Sequence, residues 1–227
     1  MLIIFDLDDT LIDTSGCITY YKLKDALHAM VREGLVLPDF SEALDLLRRL
    51  DNSSESARSS IAEFVEILGA NKYFIEVGVK EIYENISFEL PIFPLEGAIE
   101  ILMDLGRQHQ IALVTIGKQI QQMEKMKKAG IDSGFFSKIV VAEERNKKPH
   151  YQLIVDELGY DSTQVLVCGD RISLDLVPAR ELGFKTVKMQ WGRGLNSMGY
   201  KGEVDYYISE LKELKSIVNN LMALSSF

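Results

Sequence analysis

Cysteine is scarce in this chain: Cys17 and Cys168 are the only two among 227 residues. No zinc-type spacing is present, and so few thiols point to a reducing compartment. Cys168 lies inside an apolar run, where a thiol packs as a small hydrophobe. Long apolar runs are also missing. The opening Met1-Leu2-Ile3-Ile4-Phe5 has no basic stretch before it. It is far shorter than the roughly 20 residues a membrane helix needs. Neither a signal peptide nor a membrane span is expected, and the expected location is the cytoplasm. Positive charge is in deficit, with 25 Lys and Arg against 34 Asp and Glu and a net charge of -9. An acidic surface argues against nucleic acid or an anionic membrane as the main partner. A small anionic substrate remains compatible, because local charge in a cleft can oppose the net charge. No repeat of fixed period and no low-complexity tract occurs.

What is present is core material. Hydrophobic residues make up 47% of the chain and charged ones 26%, enough for one large domain or a core with a smaller insert. Leu2–Phe5 is an unbroken apolar run closed by Asp6-Leu7-Asp8-Asp9-Thr10. Such runs read as strands buried on both faces of a parallel sheet. Residues 111–116, 165–168 and 186–189 repeat the pattern, and 138–142 and 205–208 repeat it less strongly. Helical spacing lies between them, over 95–107, 120–129, 151–158, 174–182 and 210–222. Alternating strands and helices predict a doubly wound, Rossmann-like α/β core. The rhythm breaks over 15–91, where only helical periodicity is found, over 20–32, 40–50, 57–68 and 73–86. The expected organisation is a core of residues 1–14 and 92–227 with an all-helical insert, 15–91, after the first strand.

The chemistry gathers where strands are expected to end. Residues i and i+2 of a strand point to one side, so Asp6 and Asp8 can share a cleft. Ligands of open α/β sheets bind beyond the carboxyl ends of the strands. Paired carboxylates repel without a cation or a shared proton, which favours a hard metal such as Mg2+ with its oxygen ligands. Asp170 can complete that site. Thr115-Ile116-Gly117, closing another run before a helix, can cradle phosphate, or be an ordinary turn. Gly169 permits close approach of backbone to a ligand. Asp175 reads either as part of the site or as a surface helix residue. Lys148 before Pro149 reads either as a counter-charge for phosphate or as a solvated lysine.

Together these residues resemble the haloacid dehalogenase superfamily of phosphatases, over everything except the helical insert. Phe5-Asp6-Leu7-Asp8-Asp9-Thr10-Leu11 matches the family's first motif at each key position. The resemblance implies that Asp6 is the nucleophile. It makes Asp8 the general acid/base and, through its carbonyl, a ligand of Mg2+. Thr115 would hold the phosphoryl group, with Ile116 and Gly117 beside it. Lys148 would balance charge, Asp170 would bind the metal, and Asp175 would support it from behind. Two residues depart from the common pattern: Ile116 stands where asparagine is frequent, and Arg171 where a small or amide residue is. Asp8 favours phosphate chemistry over dehalogenation, which has no leaving alkoxide to protonate. The insert resembles a helical C1-type cap, hinged over 14–19 and 88–94.

The function expected is Mg2+-dependent hydrolysis of a small phosphorylated metabolite through an aspartyl-phosphate on Asp6. A phosphomutase with the same chemistry is the alternative, and a silent phosphate-binding regulator a further one. The sequence selects neither the substrate nor a monomer over a dimer.

Overall fold

The computed structural model describes residues 1–54, 56–84, 90–195 and 204–224. The chain divides into two compact units, Met1–Asp13 with Ile92–Phe227, and Thr14–Pro91. The first unit opens with β1 (Leu2–Phe5). The second unit follows with α1 (Tyr20–Arg32), α2 (Phe40–Ser53), α3 (Ala57–Ile67) and α4 (Tyr73–Glu84). The chain then returns to the first unit with α5 (Ala98–Gly106), β2 (Gln110–Ile116), α6 (Gln119–Lys128) and β3 (Lys138–Ala142). It ends with α7 (Lys148–Leu158), β4 (Val165–Gly169), α8 (Val177–Arg180), β5 (Lys185–Met189), β6 (Tyr206–Ile208) and α9 (Leu214–Leu224).

The six strands form one parallel sheet in the order β3-β2-β1-β4-β5-β6. Its central strands β1 and β4 are apolar throughout because both faces are covered. Alternate residues serve opposite sides. Ile3, Phe5, Ile111, Leu113, Leu166 and Cys168 join one buried cluster, which also takes residues of α5 and α9. Leu2, Ile4, Ala112, Val114, Val165 and Val167 join another, with Tyr151, Ile154 and Val155 of α7. The strand order reverses beside β1. The chain runs outward through β2 and β3, then resumes on the other flank of β1 with β4. Such a switch point leaves a crevice at the carboxyl ends of the strands.

Two of the expected helices are not single α-helices. The one expected over 174–182 is a wide π-type turn, Ile172–Leu176, followed by the short α8. Pro178 lacks an N–H and cannot continue a helical ladder from the preceding turn. The one expected over 210–222 is a 3-10 turn, Leu211–Glu213, leading into α9. Residues 85–86 of an expected helix, and 88–89 of an expected hinge, lie outside the described residues.

The second unit is helical throughout its described residues apart from turns. Asp39 and Ser56 cap α2 and α3, accepting from the amides of Glu42 and Ser59 at 2.8 and 3.1 Å. These caps satisfy donors that a helix start leaves free. Leu23, Leu27, Met30, Leu47, Ile61 and Phe64 form its core. In the first unit Trp191, the single tryptophan, donates from Nε1 to Asp13 at 2.8 Å. Among the described residues no helix is long and apolar enough to cross a membrane.

Candidate active site

Asp6 stands one residue past β1, and its amide donates to the Cys168 carbonyl at 2.9 Å. That bond prolongs the β1–β4 pairing and sets the carboxylate beside the strand switch point. The chain then turns sharply. Leu11 and Ile12 both donate to the Leu7 carbonyl, and Asp9 takes the left-handed region at φ 56. For a residue with a side chain that conformation costs on the order of 1 kcal/mol.

Asp170 follows β4, and Asp175 follows in the wide turn after it. Carboxylate oxygens of Asp6, Asp170 and Asp175 lie within 4.8 Å of one another, and all three residues are buried. Gly169 makes this packing possible, since a Cβ there would stand 2.6 Å from the Asp175 Cβ. The close approach that Gly169 permits is therefore that of a carboxylate from its own chain. Gly194 does the same for the Asp170 backbone, whose carbonyl would meet a Cβ at 2.9 Å.

The counter-charge is Lys147, only 1% exposed. Its ammonium donates to Asp6 Oδ1 at 2.5 Å and to Asp175 Oδ1 at 2.6 Å. Burial opposes its charge, but Asp175 and Asp6 outweigh that, and its pKa is raised well above the usual lysine value. Lys148, expected here from its place before Pro149, points elsewhere. Its Nζ pairs with Glu181 at 2.7 Å, and its side chain is 43% exposed. Successive residues at a helix start diverge by roughly 100°. Lys147, at the cap of α7, therefore faces the strand ends, while Lys148 faces outward. Of the two lysines, Lys147 is the one that reaches Asp6 and Asp175.

Electrostatics separates the three carboxylates. Burial pushes Asp6 up to about 7 against the pull of Lys147, with Asp175 and Asp8 adding to the rise. Burial likewise raises Asp170 well above the usual range, helped by Asp175 and Asp6 and opposed by Arg171. Asp175 has both oxygens engaged, Oδ1 by Lys147 and Oδ2 by the Arg171 amide at 2.9 Å. Among the described residues the Asp170 carboxylate has no hydrogen-bond or ion-pair partner. Of these three buried carboxylates, Asp6 and Asp175 share one ammonium, and Asp170 has no donor among the described residues. This arrangement fits a hard divalent cation, for which Asp6 and Asp170 could supply oxygen donors.

The Asp8 carboxylate belongs to a different network. Its Oδ1 accepts from Lys125 Nζ at 2.7 Å and its Oδ2 from Gln122 Nε2 at 2.8 Å. Gln122 also donates to Thr115 Oγ1 at 2.6 Å. Thr115 lies in β2, buried, facing the same strand ends. Ile116 offers its carbonyl to Gln122 at 3.3 Å. The Gly117 amide, expected to help cradle phosphate, donates to the Ala142 carbonyl at 2.9 Å and is thereby committed to β3.

Sequence reasoning missed Lys147, Gln122 and Lys125. The signal for Lys147 was the doubled lysine at a helix start. For Gln122 it was an amide four residues before Met126, on the stripe that the helix buries. Lys125 carried no distinguishing mark.

Residues 3–189 match the family model of the haloacid dehalogenase-like hydrolases. The chain belongs to this family. A curated relative of this hydrolase is the glyceraldehyde 3-phosphate phosphatase of Methanocaldococcus jannaschii. It is 32% identical, over 96% of this chain and 97% of the relative. The hydrolase is accordingly a phosphatase, acting on phosphoric monoesters. Among solved structures, the hydrolase YfnB of Bacillus subtilis, bound to magnesium, covers 96% of this chain and 98% of its own. It has a TM-score of 0.62 at 18% identity. The 2-haloacid dehalogenase of Pseudomonas syringae covers 96% and 98%, with a TM-score of 0.56 at 16% identity. The fold is therefore shared across two chemistries, and side chains must decide between them.

Proposed function

We propose that this phosphatase hydrolyses glyceraldehyde 3-phosphate, or a similarly small phosphomonoester, through an aspartyl-phosphate on Asp6. The observation that carries the mechanism is the state of the Asp6 carboxylate. One oxygen is held by Lys147, and the other has no hydrogen-bond partner among the described residues. A buried carboxylate oxygen without a donor is a competent nucleophile. The substrate suggestion rests on the name of the archaeal relative.

In the first step the free oxygen of Asp6 attacks phosphorus. The bond from phosphorus to the ester oxygen breaks, and Asp8 gives its proton to the departing alkoxide. In the second step water attacks phosphorus and gives a proton to Asp8. The acyl-phosphate bond breaks, returning Asp6 and releasing phosphate. Lys147 keeps Asp6 oriented and offsets the charge it gathers. Thr115 donates its hydroxyl proton to the phosphoryl group. Asp175 holds Lys147 in place from behind. Mg2+, held by Asp6 and Asp170, would supply further charge neutralisation at the phosphoryl oxygens. The helical unit, residues 14–91, is proposed to serve as the cap.

The test is a screen of small phosphomonoesters, glyceraldehyde 3-phosphate included, with and without EDTA, measuring released phosphate. Release that stops on chelation and resumes with Mg2+ supports the reading. No release from any ester removes it, and a bisphosphate product in place of free phosphate points to a mutase. For the cap, scattering with a phosphate analogue should reveal compaction; an unchanged radius of gyration would remove that role.

A further inference from the structure

We propose that Gln122 is a positioning residue that locks the general acid/base Asp8 and the phosphate-holding Thr115 into one rigid unit. This rests on the mechanism proposed above. Asp8 lies in the turn after β1 and Thr115 in β2, and Gln122 bridges them from a third element, α6. It donates to Asp8 Oδ2 at 2.8 Å and to Thr115 Oγ1 at 2.6 Å. It is 2% exposed, so its amide is shielded from bulk water.

The direction of these bonds matters. Toward Asp8 in its ionised form, left once its proton has gone to the alkoxide, the group that faces it is the amide NH2 and not its carbonyl. The same nitrogen faces Thr115, whose oxygen is then the acceptor. The Thr115 hydroxyl proton is left to point away from Gln122, available to a phosphoryl oxygen. Gln122 thereby sets the rotor of the hydroxyl as well as the place of the acid. Lys125, three residues on and along the same helix face, takes the other oxygen of Asp8 at 2.7 Å. Both oxygens of Asp8 are thus held by α6.

A second observation indicates that the place is built for this side chain. Gly117 sits at φ 152, and a Cβ on it would stand 3.2 Å from Gln122 Cδ and 3.3 Å from Cγ. A side chain at 117 would press on Gln122 and be strained at that φ.

The test is leaving-group dependence. An alkyl phosphate needs its alkoxide protonated, whereas p-nitrophenyl phosphate releases an anion stable without help. Gln122→Met removes the donors at similar volume. Its kcat/KM should fall roughly 10- to 100-fold on an alkyl phosphate and less than about 3-fold on p-nitrophenyl phosphate. Competitive inhibition by inorganic phosphate should weaken by roughly 3- to 10-fold, from the freed Thr115 rotor. Lys125→Met touches only Asp8, so it should reproduce the leaving-group effect and leave phosphate inhibition unchanged. Equal losses on both esters, or no loss on either, would overturn the proposal. Wild-type protein inactive on both esters would instead overturn the underlying mechanism, and that is seen before any variant is made.

Discussion

Two ends of the same sheet use aspartate in opposite ways. At the carboxyl ends of β1 and β4, Asp6 and Asp170 are buried with fewer partners than a carboxylate wants, and their pKa values are raised. Near the start of β5 and β6, Asp205 is fully served. It accepts from the Thr186 amide at 3.0 Å, the Thr186 hydroxyl at 2.8 Å and Lys185 at 3.1 Å. Burial raises its pKa, but these hydrogen bonds outweigh that, and the net value is lowered. A carboxylate that prefers its charged form in the folded state stabilises the fold. One that resists charge there costs stability and holds reactivity in reserve. The difference lies in depth of burial and in the count of donors, not in the residue type.

That contrast can be broken at several points. The largest effect is expected for Asp6→Asn, which should lower kcat on the order of 10^4-fold while leaving the melting temperature unchanged or higher. A parallel loss of stability would mean that Asp6 is a structural carboxylate like Asp205. Next comes Lys147→Met, with a fall in kcat/KM of roughly 100- to 1,000-fold. The neighbouring Lys148→Met should change kcat/KM less than about 2-fold, since its partner Glu181 is a surface carboxylate. Equal effects at the two lysines would undo the assignment of Lys147.

At the other end the readout is stability. Asp205→Ala should destabilise by about 2 kcal/mol in denaturant titration, with kcat unchanged, because it strands the Thr186 amide and hydroxyl. The smallest effect is in pH dependence. The folded pKa of Asp205 is lowered, so its contribution is present above the ordinary value of 3.8 and is lost as pH falls through the folded value. The stability gap between wild type and Asp205→Ala should therefore narrow below about pH 4. A gap that stays constant to pH 2 would remove the electrostatic explanation.

Much of the fold was legible because buried parallel strands are written as continuous apolar runs. Leu2–Phe5 and residues 111–116 could hardly be anything else once polar residues closed them. The positions of Asp6, Asp170 and Thr115 were legible for the same reason, since a polar residue next to such a run must stand at a strand end. Direction was harder. Which of Lys147 and Lys148 turns inward depends on the phase of α7, which a single residue of offset reverses. The network of Asp8 with Gln122 spans 114 residues of sequence, and no local pattern encodes a contact at that distance. The break at α8 had a visible cause in Pro178, yet proline is also at home in a first helical turn. That ambiguity is settled only by the wide turn preceding it.

The lone indole offers a practical consequence. Trp191 donates to Asp13, the last residue of the first unit before the chain enters the second. Because the chain has no other tryptophan, its intrinsic emission is an unlabelled optical gauge of that crossing point. A ligand titration followed at this one indole reports on its bond to Asp13 with no dye attached.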